Sequence, residues 1–440
     1  MNKLAVHAVG ARVVELLFST FPPKQTAKLK LEFYGPRFAL FSDGNLSNKS
    51  SNPTIQTVLE SQPNGKDAAL ESLLNIINKG IEKSLFSFAY YQQILCEYIT
   101  TATPNEVRAL CSSLVDHSIH LLSTRAGSRV VAECAAYGTP KDRKRIMKSL
   151  KGYTRSSLLH SDAYIALLRI LDVVDDTVAV QKSVLAELQQ LPEKKVVNPL
   201  EDDENDKEDD NESPLLELAL SDTGSKLFLL LLAKDDEART KYFDPLELEI
   251  LRPNPTVKEG DEEVPTSKKS ANTRRVELLQ YMKSLIIECC ISHSKDLLSS
   301  RCGSKVLKEV YNSFPSKELG NSIVNSCDDD SDESENLSVF EDSIGHLSIK
   351  GILNCDANNE DKSGFVTKAM VEKYKDHLLD DIGSSNRGAF VLAALLKSDN
   401  TSHVKRELQS QMKGIKNRMK ECKKNAEPYA GFEALLNDLK

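Results

Sequence analysis

Residues 126–135 read AGSRVVAECA, and the reading of this stretch decides the fold. Gly127 is followed by a small residue, Ser128, a long cation, Arg129, and two apolar residues, Val130 and Val131. Apolar positions then return three and four residues on, the period of an amphipathic helix. The phrase recurs as GARVV from Gly10, GSKLF from Gly224, GSKVL from Gly303 and GAFVL from Gly388. Weaker versions are FAYYQQIL from Phe88, DAYIALLRIL from Asp162 and HLSIKGIL from His346. Copies stand 39 and 35 residues apart between Phe88 and Asp162, and 43 and 42 apart between Gly303 and Gly388, room for two or three short helices each. A second helix is predicted after most copies, over 140–150, 178–191, 317–326 and 401–422, where a Pro, Ser or Thr can open it. One such unit cannot bury its own apolar face, so the fold class is all-α, an α-solenoid of about eight stacked repeats. The chain opens inside a repeat without a polar capping unit, which predicts further repeats upstream.

Composition narrows the function classes. Aromatics are 6% and tryptophan is absent, which favours helices and polar loops over sheets. The nine cysteines include no CxxC pair and their number is odd, so neither a disulfide framework nor a zinc site is expected, and the compartment is expected to be reducing. The longest apolar run, 227–233, is far below the ~20 residues that span a bilayer, and MNKLAVHAVG lacks a signal-peptide core, so no membrane partner and a soluble intracellular protein are expected. The net charge is −8, but the run EDDENDKEDDNE at 201–212 alone carries −8, and DDDSDESE at 328–335 holds six more acids. Outside both runs the chain is mildly basic. The organisation reads as repeats over 1–42, a flexible insertion over 43–66, repeats over 67–200, a disordered acidic loop over 201–213 and a repeat over 214–251. A second flexible insertion at 252–273 and C-terminal repeats over 274–440, with an acidic loop at 327–342, complete it.

The chain has no Walker loop and no GxGxxG, GxSxG or HExxH pattern, and His117 with His120 lacks a third metal ligand. An enzyme, a metal or other cofactor and a small-molecule substrate are therefore not expected.

VGARVVELLF, AGSRVVAECA and CGSKVLKEVY resemble the second helix of Pumilio (PUF) repeats. YGPRFALF from Tyr34 and the long acidic insertions resemble the divergent Puf-A or Penguin branch, with residues 130–300 similar to its CPL region. The resemblance covers nearly the whole chain. It implies an α-solenoid of PUF-like repeats that binds RNA along a concave face, where the first, second and fifth residues of a helical stretch meet a base. Residues i and i+4 share a helix face and i+1 projects beside them, which suits a one-base-per-repeat reader. The matching triplets are Ala11, Arg12, Glu15; Ala89, Tyr90, Gln93; Ser128, Arg129, Ala132; and Ala163, Tyr164, Leu167. They continue as Ser225, Lys226, Leu229; Ser304, Lys305, Lys308; Leu347, Ser348, Gly351; and Ala389, Phe390, Ala393.

Departures from the family pattern are informative. Only Glu15 and Gln93 keep an acceptor of the expected kind at the fifth position, and Ala132, Leu167, Leu229, Gly351 and Ala393 have no side-chain donor or acceptor, so base readout is expected to be poor. The second position keeps Arg, Tyr, Lys or Phe in most copies, which suits phosphates and stacking. A lone residue of this kind is more often a solvated cation or a core aromatic; recurrence at one register favours a shared role. Auxiliary basic clusters are Lys141, Arg143, Lys144 and Arg145, and the stripe Lys413, Lys416, Lys420 and Lys424. KKSANTRR from Lys268 has the composition of a nuclear-import signal. The resemblance further implies partners among RNA (pre-rRNA or mRNA), DNA and pre-ribosomal proteins. It places the chain in the nucleus and nucleolus, in large-subunit ribosome biogenesis, pre-rRNA processing and translational regulation. The alternative is a HEAT- or armadillo-like scaffold for protein partners.

Overall fold

Three residues before each repeat glycine, a polar side chain accepts the glycine amide. Thr124 caps Gly127 at 3.1 Å, Ser221 caps Gly224 at 3.2 Å, Ser300 caps Gly303 at 3.2 Å and Ser385 caps Gly388 at 3.1 Å. Asp342 does the same for Gly345 at 2.6 Å, and the Nδ1 atoms of His7 and His160 for Gly10 and Ala163. The capped turn folds back over the helix it opens. A Cβ on Gly127 would lie 2.0 Å from the carbonyl oxygen of Leu121, and one on Gly388 1.7 Å from that of Ile382, six residues upstream in both cases. Glycine is there because backbone passes against backbone.

The computed structural model describes residues 1–40, 53–190, 213–253, 255–328, 338–358 and 364–440, and these are helical apart from one two-stranded hairpin and the connecting turns. They form two compact units, Met1–Glu187 with Asp235–Leu278, and Leu188–Lys234 with Leu279–Lys440.

In the first unit the repeated helices are Gly10–Thr20, Ala89–Thr101, Arg125–Tyr137 and Tyr164–Val173. Each is followed by a second helix: Pro23–Leu31, Pro104–Leu114, Pro140–Ser149 and Thr177–Ser183. Thr103 with Glu106 and Thr139 with Asp142 form capping boxes ahead of Pro104 and Pro140. Leu95, Val130, Ala135 and Ile146 are fully enclosed between the two layers.

Two stretches expected to be flexible are built into this unit. Residues 252–273 contain an antiparallel hairpin, Thr256–Glu259 with Glu262–Pro265, whose Val257 is buried. Asn105 clasps the backbone of Lys258, giving and receiving a hydrogen bond at 2.9 Å. Ser267 donates to Val173 O at 2.6 Å, and buried Arg274 donates to Asp172 O at 2.7 Å. Composition concealed this order because it rests on polar residues satisfying helix-terminal backbone groups rather than on an apolar period. The described part of 43–66 likewise holds the helix Ile55–Ser61, with Ile55 and Val58 buried.

The second unit repeats the plan with Ser225–Leu232, Gly303–Ser313, Gly345–Asn358 and Asn386–Ser398, and the helix Ala430–Asp438 packs on the last of these. The helix predicted over 401–422 is two, His403–Ser410 and Met412–Lys424, broken at Gln411. Of the two acidic loops, 201–212 and 329–337 lie outside the described residues. Within 327–342, Val339 and Phe340 are buried, so that end of the predicted loop is packed. Among the described residues no helix is long and apolar enough to cross a membrane, and no three His, Cys, Asp or Glu side chains group as metal ligands.

Candidate nucleic-acid interface

The caps fix the register of seven of the eight repeats, and with it the residues that each helix presents. First positions turn inward. Ala11, Ser128, Ser225 and Ala389 are buried; the hydroxyl of Ser128 donates to Leu122 O and that of Ser225 to Asp222 O. These two serines therefore do not offer themselves to a base, contrary to the sequence reading, because the capped turn covers them. Ser304 is half-buried and donates to Arg301 O at 3.2 Å. Second positions face outward to differing degrees: Arg12 is exposed, and Arg129, Lys226, Lys305 and Phe390 are half-buried.

All three weak copies shift register. Gly345, not His346, carries the Asp342 cap, so the seventh triplet is His346, Leu347 and Lys350 instead of Leu347, Ser348 and Gly351. Ser348 is buried and donates to Leu298 O at 2.9 Å. Lys350, missed in the sequence, is the fifth-position residue; the pattern of a cap residue three before the glycine would have found it. At the second copy, the Thr103 and Thr139 capping boxes and the burial of Gln92 and Ser128 align Tyr91 with Gly127, 36 residues on. The triplet is then Gln92, Gln93 and Cys96. Gln93 moves to the second position, where its amide donates to Glu97 at 3.0 Å. Gln92 donates to Phe86 O, His120 O and Ser123, so it locks the neighbouring turn. Tyr90 is core: its hydroxyl donates to Ala5 O at 2.5 Å and its ring lies against Phe33 and Phe88. The His160 cap makes Tyr164 a first-position residue, half-buried, donating to Glu247 at 2.5 Å. Glu15 does not read a base either, since its carboxylate accepts the amides of Ala89 and Tyr90 at 3.1 and 3.2 Å and so caps the next repeated helix.

In the second unit the face residues come together. The Gly303–Ser313 helix packs on Ser225–Leu232 and on Gly345–Asn358, which packs on Asn386–Ser398. Lys308 lays its stem on Gly351, where an added Cβ would meet its Cδ at 3.4 Å. Lys350 Nζ sits 5.1 Å from the centre of the Phe390 ring, a cation–π contact. Lys305, Lys308 and Lys350 enter no ion pair among the described residues. In the first unit Arg129 is instead paired with Glu249 of the acidic helix Pro245–Leu251. Burial works against its charge, but the carboxylates of Glu249 and Glu133 outweigh it and hold the guanidinium above its usual pKa.

The family description "CPL (NUC119) domain" matches residues 221–363. Over its full length the chain is 25% identical to Pumilio homolog 3 of Mus musculus, and over 99% of it 25% identical to Pumilio homology domain family member 6 of Schizosaccharomyces pombe; it spans 63% of each relative's length. The crystal structure of human Puf-A superposes with a TM-score of 0.75 at 23% identity, covering 99% of this chain and 78% of that one. Human Puf-A in complex with DNA gives 0.73 at 23%, covering 94% and 75%. The chain is similar, in sequence over its full length and in fold, to the divergent, Puf-A-like branch of the Pumilio family. Its CPL match begins and ends later than the 130–300 expected, since Tyr91, Gly127 and Ala163 still keep a regular 36-residue spacing.

Within this Puf-A-like architecture the auxiliary cations lie on the second layer of helices. Arg143 is a structural residue: it is buried, donates to Ala135 O, Ala136 O and Thr266, and burial pulls its guanidinium down to about 10. Arg145 pairs with Asp116 and Lys144 with Asp176, while Lys141 is exposed. Lys413, Lys416, Lys420 and Lys424 are all exposed on one helix, whose Ile415 is buried and whose Arg418 holds Leu379 O and Gly383 O. The KKSANTRR stretch is partly engaged, with the amides of Lys268 and Lys269 bonded to Asp175 and Arg274 buried. His117 stacks on Phe86 at 3.9 Å, a packing role.

Proposed function

We propose that this chain binds RNA, and DNA as a second class, through phosphate contacts and stacking with low base specificity. The observation that carries the reading is the cluster on three successive repeats of the second unit: Lys305 and Lys308 on one helix, Lys350 on the next, and Phe390 beneath Lys350 on the third. Cations and a ring at repeat spacing suit a phosphate backbone and the π-face of any base. Ala132, Leu229 and Ala393 at fifth positions are buried and lack donors and acceptors, which favours weak sequence discrimination. The human Puf-A structure in complex with DNA supports nucleic acid as the ligand class.

The family relationship and the CPL match favour a nuclear and nucleolar setting, with pre-rRNA and pre-ribosomal proteins as partners in large-subunit biogenesis and pre-rRNA processing, and regulation of mRNA translation as a further role. Crosslinking the protein to cellular RNA and sequencing the fragments tests this; recovery of neither pre-rRNA nor mRNA would refute it. The direct test is Lys305→Glu with Lys308→Glu. Binding should weaken for every RNA sequence, and the log–log salt slope should flatten by about one unit for each phosphate no longer neutralised. A protein-binding scaffold predicts no such change.

A further inference from the structure

We infer that the cleft between the acidic helix Pro245–Leu251 and the repeated helix Arg125–Tyr137 is a subsite for one unpaired guanine; the inference rests on the nucleic-acid reading above. The cleft encloses about 320 Å3 and is lined by residues of both helices together with Gln93 and Tyr164.

Its electrostatics reject a phosphate. Asp162, Asp244 and Glu247 border it and outnumber the cations Arg125 and Arg129, of which Glu249 already neutralises Arg129. A backbone anion entering would lose water to meet more carboxylates than unpaired cations. A neutral base escapes that penalty. The cleft also holds an incomplete hydrogen-bonding group: Arg129 Nε is buried and has no acceptor among the described residues. A buried donor left unmade is costly, and a ligand acceptor would complete it.

Guanine is the base whose edges answer these walls. Its O6 and N7 are paired acceptors for a guanidinium, whereas adenine sets a donor beside its N7. Its N1–H and N2–H2 donors suit a carboxylate such as Glu247. Ile165, Leu246 and Ile250 supply apolar surface, and the Tyr164 ring is held by its hydroxyl bond to Glu247 at 2.5 Å.

The wall is fixed in place. Arg169 donates to Leu251 O at 2.9 Å and Pro253 O at 2.7 Å, at the end of the acidic helix, and shares Asp172 with Arg239 at 2.7 and 2.8 Å. Arg169 and Asp172 are both enclosed. The slot is thus preformed, and a base entering it does not have to order it.

The test uses the full chain and short uridine strands carrying one central G, A, C or U, with binding followed by fluorescence anisotropy. The G strand should bind about fivefold or more tightly than the others. Arg129→Lys keeps the charge but removes the fork and Nε, so it should erase the preference for G over the other three strands. Glu247→Gln, which can still accept the Asp244 amide, should reduce the preference as an independent variant. Equal affinity for all four strands, or a G preference that survives both variants, overturns the proposal. Lys305→Glu with Lys308→Glu separates it from the parent reading. That pair should weaken all four strands and keep their ratio; if it changes none of them, backbone binding on the second unit falls instead.

Discussion

Gly127 and Gly351 both stand in repeated helices, yet the same substitution should have opposite effects on them. At Gly127 a methyl group would strike Leu121 O at 2.0 Å and Gln92 Oε1 at 2.5 Å, and the backbone it meets cannot turn aside. Gly127→Ala should destabilise the first unit by about 1–3 kcal/mol, the range for forced overpacking. At Gly351 an added Cβ would meet, among the described residues, only Lys308 Cδ and Cε, at 3.4 and 3.8 Å. That is ordinary contact with a flexible stem, so Gly351→Ala should gain about 0.5–1 kcal/mol from reduced chain entropy. Urea unfolding of the two variants checks both signs. The contrast separates the register glycine, held by its cap, from the glycine of HLSIKGIL, whose place against Lys308 is incidental to the turn.

At the level of the helix, Asp342 shows how a cap makes a repeat depend on pH. Partial burial pushes its carboxyl up, but the amides of Gly345, Ile344 and Ser343 pull it further down, so its folded pKa lies below the usual carboxylate value. Such a group stabilises the fold above the unfolded pKa and ceases to do so as pH falls through the folded one. Asp342→Ala should cost about 1 kcal/mol near neutrality, the ordinary worth of a cap. The deficit should shrink below about pH 4, where the wild-type carboxylate also protonates, as thermal unfolding across pH will show. The same caps explain what was legible in the sequence. The amphipathic period of SRVVAECAAY and SKVLKEVYNSF revealed the repeated helices because burial follows that period directly. The order of 252–273 was hidden, since the hairpin is held by Asn105, Ser267 and Arg274 on backbone groups far away in sequence. Register failed where glycine was absent, at Tyr91 and Ala163, or doubled, at Gly345 and Gly351. An apolar period tolerates a shift of one residue or of three, and a cap hydrogen bond does not.

For the chain as a whole, the proposed function asks how a protein of net charge −8 would hold an anionic polymer. The repeat phrase made some positions legible: Arg12 in the first unit is exposed, and Lys226, Lys305, Lys308 and Phe390 in the second are half-buried, each on a repeated helix. Arg129 and Glu15 are already engaged, by Glu249 and by the amides of Ala89 and Tyr90, which no local pattern announces. The balance of charge is the remaining determinant. The run at 201–212 carries the entire net charge, so replacing it with an uncharged Gly/Ser segment of equal length leaves the chain at zero. Repulsion between that run and RNA acts over the Debye length, about 10 Å at 0.1 M salt and about 3 Å at 1 M. The substituted chain should therefore bind single-stranded RNA more tightly than the original at low ionic strength, chiefly through faster association. The two should converge as salt rises, because Lys305, Lys308 and Lys350 would meet the RNA in the same way in both. Stopped-flow association rates over a salt series decide the matter: a gain that persists unchanged at 1 M would mean that the run acts by direct contact with the face, and no gain at any salt would remove it from the electrostatics of binding.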